Sequence, residues 1–330
     1  MIIGLRFCSI AFASVLALIL PPLASIAAAQ TQAWPTRIVR IIVPYPAGGG
    51  ADTIARLVGG KLAEKWGQQV IIENRGGAGG NIASEAAARS APDGYTLYLA
   101  GEFQSTNIHL YPKLTYDPIA DFAPVSLVVQ YPTAVVLPNS SPAKTVQEFI
   151  AHAKAHPGEV TFASPGHGTG PHLAGELFKR SAGIQLTHVP YRGAAPALND
   201  VIAGRVDSFF NNIAPIMPLM RQGQLRIVAV TTNRRTPAAP EIPTLAESGL
   251  PGFDVSGWYA FFAPTKTPSE IVRKMHADTV AVLADPAVKG RLEELGLFVV
   301  GSTPEQLGAY LKAELAKWGP VIKDAGIKVE

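Results

Sequence analysis

The chain has 330 residues, 48% of them hydrophobic and 16% charged, and its 28 basic and 25 acidic side chains leave a formal charge of +3. That length suits two domains rather than one core, the apolar share excludes a disordered chain, and a near-neutral charge without a Lys/Arg run excludes a nucleic-acid partner. The single cysteine, Cys8, excludes a disulfide framework, a Cys-based zinc site and an iron–sulfur cluster.

Residues 2–29 carry one charge, Arg6, and a mostly apolar run from Phe7 to Leu20, followed by Pro21-Pro22 and small residues ending Ala27-Ala28-Ala29. This is the pattern of a signal peptide (residues 1–29) cleaved near Ala29. The run before the prolines falls short of the roughly 20 residues that a membrane span needs. The mature chain is therefore expected to be exported and soluble.

In the mature chain, Arg37 to Val43 is β-branched, stops at Pro44 and reads as a strand. Asp52 to Trp66 has Ile54, Leu57, Val58 and Leu62 at helical spacing. A strand at 70–72, a glycine turn at 76–80, a helix at 81–89 and a strand at 95–99 complete a β-α-β-α-β run, which implies a mostly parallel sheet with helices on its faces. The pattern then restarts. Val125 to Leu137 is extended, and Thr145 with Glu148 makes a capping box before a helix. Strands at 160–163, 186–189, 206–210 and 227–230 alternate with helices at 171–181 and 195–204. In the tail, a strand at 259–263 precedes helices expected to begin at Thr267 and Thr303. This tail is too small for a third domain and is expected to return to the first, so that two crossings, near 125–137 and 250–260, form a hinge.

Three glycine-rich turns carry the candidate chemistry: Pro44 to Thr53, Gly76 to Asn81, and Ser164 to Pro171. The first and third lie between a strand and a helix. Glycine lets a ligand approach the main chain, and a helix start offers unpaired N–H groups and a positive dipole end, so two such loops make an anion site without a basic side chain. Neither is a nucleotide motif: the first lacks Gly-Lys-Ser/Thr and has Thr53 where G-x-G-x-x-G needs its last glycine, and the third has Pro171 there. His167, His172 and Glu176 form a weak metal set without H-E-x-x-H spacing, Ser164 lacks the nucleophile-elbow frame, and an enzyme is disfavoured.

The stretches WPTRIVRIIVPYPAGGGADTIAR, VIIENRGGAGGNIASEAAA, PDGYTL, YDPIADFAPVS, GHGTGPHLAGELFK, THVPYRGAAPALNDVIAGRVD, PTLAESGLPGF and GSTPEQL, in that order from residue 34 almost to the end, resemble the tripartite tricarboxylate transporter substrate-binding receptors, also called the Bug family. The resemblance implies an α/β periplasmic binding protein of type II, with lobe I at 30–130 plus 255–330 and lobe II at 131–254. It implies a monomer that captures a small carboxylate for membrane permease subunits, with no catalysis, cofactor or metal. Carried over by position, Tyr45, Ala47, Gly48, Gly49, Asp52 and Thr53 of the first loop and Ser164, His167, Gly168 and Thr169 of the third hold a carboxylate. Arg192 and Gly193 approach from lobe II, and the segment Gly101 to Asn107 shapes the distal end. The sequence departs from the family at Phe103-Gln104, where Thr-His is common, and at Asn211, where Asp is common. Those changes count against an amino-acid ligand and favour a more apolar or aromatic carboxylate. Asp52 reads as a helix N-cap or as an amine ligand, and Arg192 as an inward charge or a solvated side chain. Two other readings stay open: an exported sensor that feeds a signalling partner, and a hydrolase or isomerase using His167, Glu176 or Asp52.

Overall fold

The computed structural model describes Met1 and residues 34–329; Cys8 and, beyond Met1, the expected signal segment lie outside the described residues. The β-branched run gives strand β1 (Val39–Val43), which pairs in parallel with β2 (Val70–Asn74) and β3 (Thr96–Gly101). Between β1 and β2 lies helix α1 (Gly50–Trp66). It buries Ile54, Ala55, Val58, Leu62 and Trp66 at three- and four-residue spacing and stops at Gly67 in the left-handed region. Helix α2 (Asn81–Ala88) follows a short 3-10 turn at Ala78–Gly80.

Helix α3 (Phe103–Leu110) has no counterpart among the sequence expectations. Its run Phe-Gln-Ser-Thr-Asn has poor helix propensity. It forms because its side chains are largely buried and the Ser105 hydroxyl donates back to the Glu102 carbonyl.

The 17-residue strand β4 (Phe122–Pro138) ties the sheet together. Its first half pairs antiparallel with β9 (Ser256–Pro264) and β10 (Phe298–Val299), and β9 also pairs with β3. Its second half pairs antiparallel with β7 (Ser208–Asn212) and β8 (Leu225–Val230). β7 pairs in parallel with β5 (Thr161–Ser164), which pairs with β6 (Thr187–Pro190). The result is a mixed, ten-stranded α/β sheet with the path β2-β1-β3-β9-β4-β7-β5-β6. Helices α4 (Val146–Ala155), α5 (Gly170–Ala182), α6 (Ala194–Ile202) and α7 (Met217–Arg221) belong to the part built on β5 to β8.

The tail joins the sheet through β9 and β10, and α8 (Ser269–Leu283) packs on α1 and β4. Helix α9 (Pro286–Glu294), capped by Asp285, was not expected. Helix α10 (Pro304–Asp324) starts with a complete Thr303–Gln306 capping box. Its Leu307 and Leu311 sit in a core with Tyr98 and Phe262, whereas its Trp318, Val321 and Ile322 sit in a core with Phe162, Phe178 and Phe210. The last helix thus binds both halves of the sheet.

Two local expectations fail. Helix α8 does not begin on Thr267, whose hydroxyl donates to the Pro264 carbonyl; Pro268 takes the cap position. Asp52 is not an N-cap, because α1 begins two residues earlier, at Gly50.

Candidate functional site

The starts of α1 and α5 open into one cavity of about 870 Å³. From the first loop it is lined by Tyr45, Ala47, Gly49, Gly50, Ala51 and Thr53, and from the loop after β5 by Pro165, His167, Gly168, Thr169 and Gly170. Phe103, Gly193 and Asn211 complete the set of sequence candidates on its wall.

Five candidates are not on that wall. Gly48 lies one residue behind it and donates its N–H to Asp52 Oδ2 at 2.9 Å. Asp52 is buried below the loop, where Oδ2 also accepts from Arg56 Nε at 2.9 Å and Oδ1 accepts from Asn74 Nδ2 at 3.1 Å. The Arg56 hydrogen bond holds the Asp52 pKa down at about 2. The Asp52 carboxylate is therefore ionised, is paired with Arg56 and serves to shape the loop. Gln104 is buried and gives its amide N–H to the Pro118 carbonyl at 3.0 Å. Ser164 is buried at the end of β5, where its hydroxyl bonds His188 Nε2 at 2.8 Å. Arg192 is exposed to solvent and does not line the cavity.

The two helix starts differ in how their N–H groups are used. Gly49 precedes α1 in an extended conformation, φ −81° and ψ 174°, and no side chain caps the helix. Among the described residues the first-turn N–H groups, which have no intrahelical acceptor, find no side-chain cap, and Gly49, Gly50 and Ala51 lie on the cavity wall. At α5, the Thr169 hydroxyl accepts from the His172 N–H, and Pro171 has no N–H to offer. The Gly168 N–H is taken by His172 Nδ1 at 3.0 Å.

That histidine belongs to a stack. The rings of His172 and His188 lie 3.8 Å apart, 13° from parallel, and His167 lies 4.8 Å from His172. Ring nitrogens of the three come within 4.8 Å of one another. Burial, then the neighbouring imidazoles, lowers the His172 pKa to about 2; burial, then His167, lowers that of His188 to about 4. Both rings are thus neutral at physiological pH. Gly168 donates to His172 Nδ1 and Ser164 bonds His188 Nε2, so the stack buttresses the loop. Glu176 is likewise held by Lys179 Nζ at 2.8 Å. α5 can approach β5 closely because Gly175 leaves room for the Phe162 ring, with which a Cβ would collide.

Sequence reasoning missed the opposite wall. Tyr131 of β4 and Tyr259 of β9 face each other at 5.2 Å, and Tyr259 and Phe103 each meet Tyr45 edge-on, at 6.2 and 6.1 Å. Tyr131 lies across β9 because Gly257 has no Cβ to obstruct its ring. Glu102 sits among these rings, accepting from the Tyr131 hydroxyl at 3.0 Å, and burial raises its pKa. Both tyrosines lie on the two segments expected to cross, near 125–137 and 250–260, but nothing in their local sequence marks them. Glu102 had no signal beyond lying within Gly101 to Asn107.

An α/β sheet of this order, with two glycine-rich helix starts opening into one cavity, is the architecture of a periplasmic binding protein. Residues 54–327 match the family described as tripartite tricarboxylate transporter family receptor. The chain is 37% identical to R. palustris Rpa4515, whose structure was solved with adipate; the match covers 90% of this chain and 100% of that one, with a TM-score of 0.80. It is 34% identical to the periplasmic binding protein BugD, covering 90% and 100%, with a TM-score of 0.76. It is also 34% identical to MatC from Rhodopseudomonas palustris with bound malate, covering 87% and 99%, with a TM-score of 0.74. The chain belongs to the tripartite tricarboxylate transporter receptor family.

Proposed function

We propose that this protein is a periplasmic receptor that holds a small carboxylate on the open start of α1, between lobes at 30–130 plus 255–330 and at 131–254, and passes it to membrane permease subunits. It acts as a monomer, after removal of its signal peptide near Ala29, and its cavity binds without catalysing. The observation that carries this reading is the uncapped N-terminus of α1, with Gly49, Gly50 and Ala51 on the cavity wall. A carboxylate there completes N–H groups that the fold leaves free and meets the positive end of the helix dipole. The adipate- and malate-bound relatives support the ligand class.

Micromolar affinity requires about 8.2 kcal/mol. A helix end supplies roughly 0.3–1 kcal/mol, or about 2 when partly buried, and each charge-assisted hydrogen bond about 1.5–3 kcal/mol. Two or three main-chain N–H donors with the helix end supply about 3–11 kcal/mol gross, a range that spans this requirement before the cost of immobilising the ligand. Calorimetric titration with linear carboxylates and their methyl esters tests the reading. Saturable heat is expected for one or more acids and for none of the esters; no saturable heat from any acid overturns the ligand class.

A further inference from the structure

The cavity combines an anion-accepting end with a wall of the opposite character. Among the described residues, no lysine or arginine lines it, and Glu102 is its only carboxylate. The Glu102 carboxyl stands among Tyr45, Tyr131 and Tyr259, each of whose hydroxyl pKa values is raised, first by burial and next by Glu102 itself. One oxygen, Oε2, accepts from Tyr131; the other, Oε1, lies beside Gly170 at the start of α5. Asn212, on the same wall, has a buried Oδ1 without a hydrogen-bond partner.

Tyrosine rings packed around a carboxyl group attract a cation: ring quadrupoles supply one part of the attraction, and a bound cation favours the ionised Glu102 against the burial that raises its pKa. A second carboxylate on the ligand would meet Glu102 in a space with no basic side chain to offset it. From this geometry we infer that the physiological ligand is a zwitterion. Its carboxylate lies on α1, as proposed above and on which this inference rests, and its cationic nitrogen lies against Glu102, inside the cage of Tyr45, Tyr131 and Tyr259. The family position that departs at Asn211 then matters less, because the nitrogen is recognised from the opposite wall.

Two matched pairs of probes test this in full-length mature protein: 4-aminobutanoate against pentanoate, and 4-(trimethylammonio)butanoate against 5,5-dimethylhexanoate. Each pair has nearly the same size and differs in the positive charge. At least one zwitterionic member is expected to bind roughly tenfold or more tighter than its anionic partner, which lacks the positive charge. Glu102→Gln should bring that pair to within about threefold by weakening only the zwitterionic member, while Glu102→Asp, which keeps the charge, retains the preference. Anionic members that bind as well as both zwitterionic ones, or adipate binding more tightly than either and unaffected by Glu102→Gln, overturn the inference and leave the carboxylate reading intact. Butyltrimethylammonium binding as tightly as the zwitterion overturns the carboxylate reading and leaves the cation subsite standing. No saturable binding by any probe overturns both. The wild-type comparison decides the matter even if the Gln variant does not fold.

Discussion

Helix α1 has a glycine, Gly49, at its cap position and helix α5 a threonine, Thr169, each after a strand and a glycine-rich loop, and each beside the same cavity. The Thr169 hydroxyl, a proline without an N–H and the His172 imidazole use up most of the donors at α5, and the Glu102 carboxyl lies against Gly170. Among the described residues the donors of the first turn of α1 have no such partners. Their loop is held from below by the ionised Asp52 with Arg56 and Asn74, whereas the α5 loop is held by neutral histidines. A glycine-rich loop before a helix is therefore an anion site only where the chain withholds its own cap.

The largest effect should come from giving α1 the cap it lacks. A Cβ at Gly49 would meet nothing closer than the Pro46 carbonyl at 3.6 Å, and its φ of −81° suits any residue. Gly49→Asp therefore fits, places a carboxylate on the same N–H groups, and should lower ligand affinity at least 100-fold, since two charge-assisted bonds are worth about 3–6 kcal/mol. The melting temperature should hold or rise, because Asp is a favoured cap. Calorimetry and a thermal melt on the same sample check both halves. Undiminished affinity would mean that α1 is not the carboxylate end.

The next effect concerns how the loops are held. His172 and His188 have pKa values of about 2 and about 4, below the ordinary 6.5, so the unfolded chain binds protons more readily than the folded one. The stability they contribute is fully present above pH 6.5 and is lost as pH falls toward those values, at up to about 1.4 kcal/mol per pH unit for each ring. Asp52 behaves differently: its contribution persists down to about pH 4 and is lost as pH falls toward 2. Between pH 6.5 and 5 the acid sensitivity should thus come from the α5 loop. His172→Asn should flatten that limb by about 2 kcal/mol, read from denaturant midpoints. An unchanged slope would show that the stack is not what ties the loop.

The legible part of the molecule was whatever local chemistry fixes. Strand β1, helix α1 and the Thr303 cap of α10 follow from β-branched runs, apolar spacing and capping residues, and the two loops from their glycines. Helix α3 was not legible, because burial and the backbone bond from Ser105 override its weak propensity. Nor was the helix register at Asp52, because an acidic residue two positions before an apolar run fits the N-cap and the third position of the first turn alike until tertiary partners such as Arg56 and Asn74 decide. Ser164 and Gln104 pointed the right way along the chain but are turned into the protein by His188 and Pro118. The tyrosine wall depends on residues far apart in sequence meeting across β4 and β9, which no local pattern encodes.

The smallest effect is the reverse experiment at α5. Thr169→Ala removes the hydroxyl that accepts from His172 and donates to the Gly166 carbonyl at 2.8 Å. Loss of such a cap costs about 1 kcal/mol of stability, a drop of a few degrees in the melting temperature. It frees the His172 N–H and makes α5 resemble α1, yet the Glu102 carboxyl still lies against Gly170 and repels a second anion there. Affinity for a carboxylate should therefore change by less than about threefold, an energy under 1 kcal/mol. A fall in affinity as deep as that of Gly49→Asp, measured in the same titration, would show that the two helix starts share the ligand equally and that the difference in their caps has no bearing on where it binds.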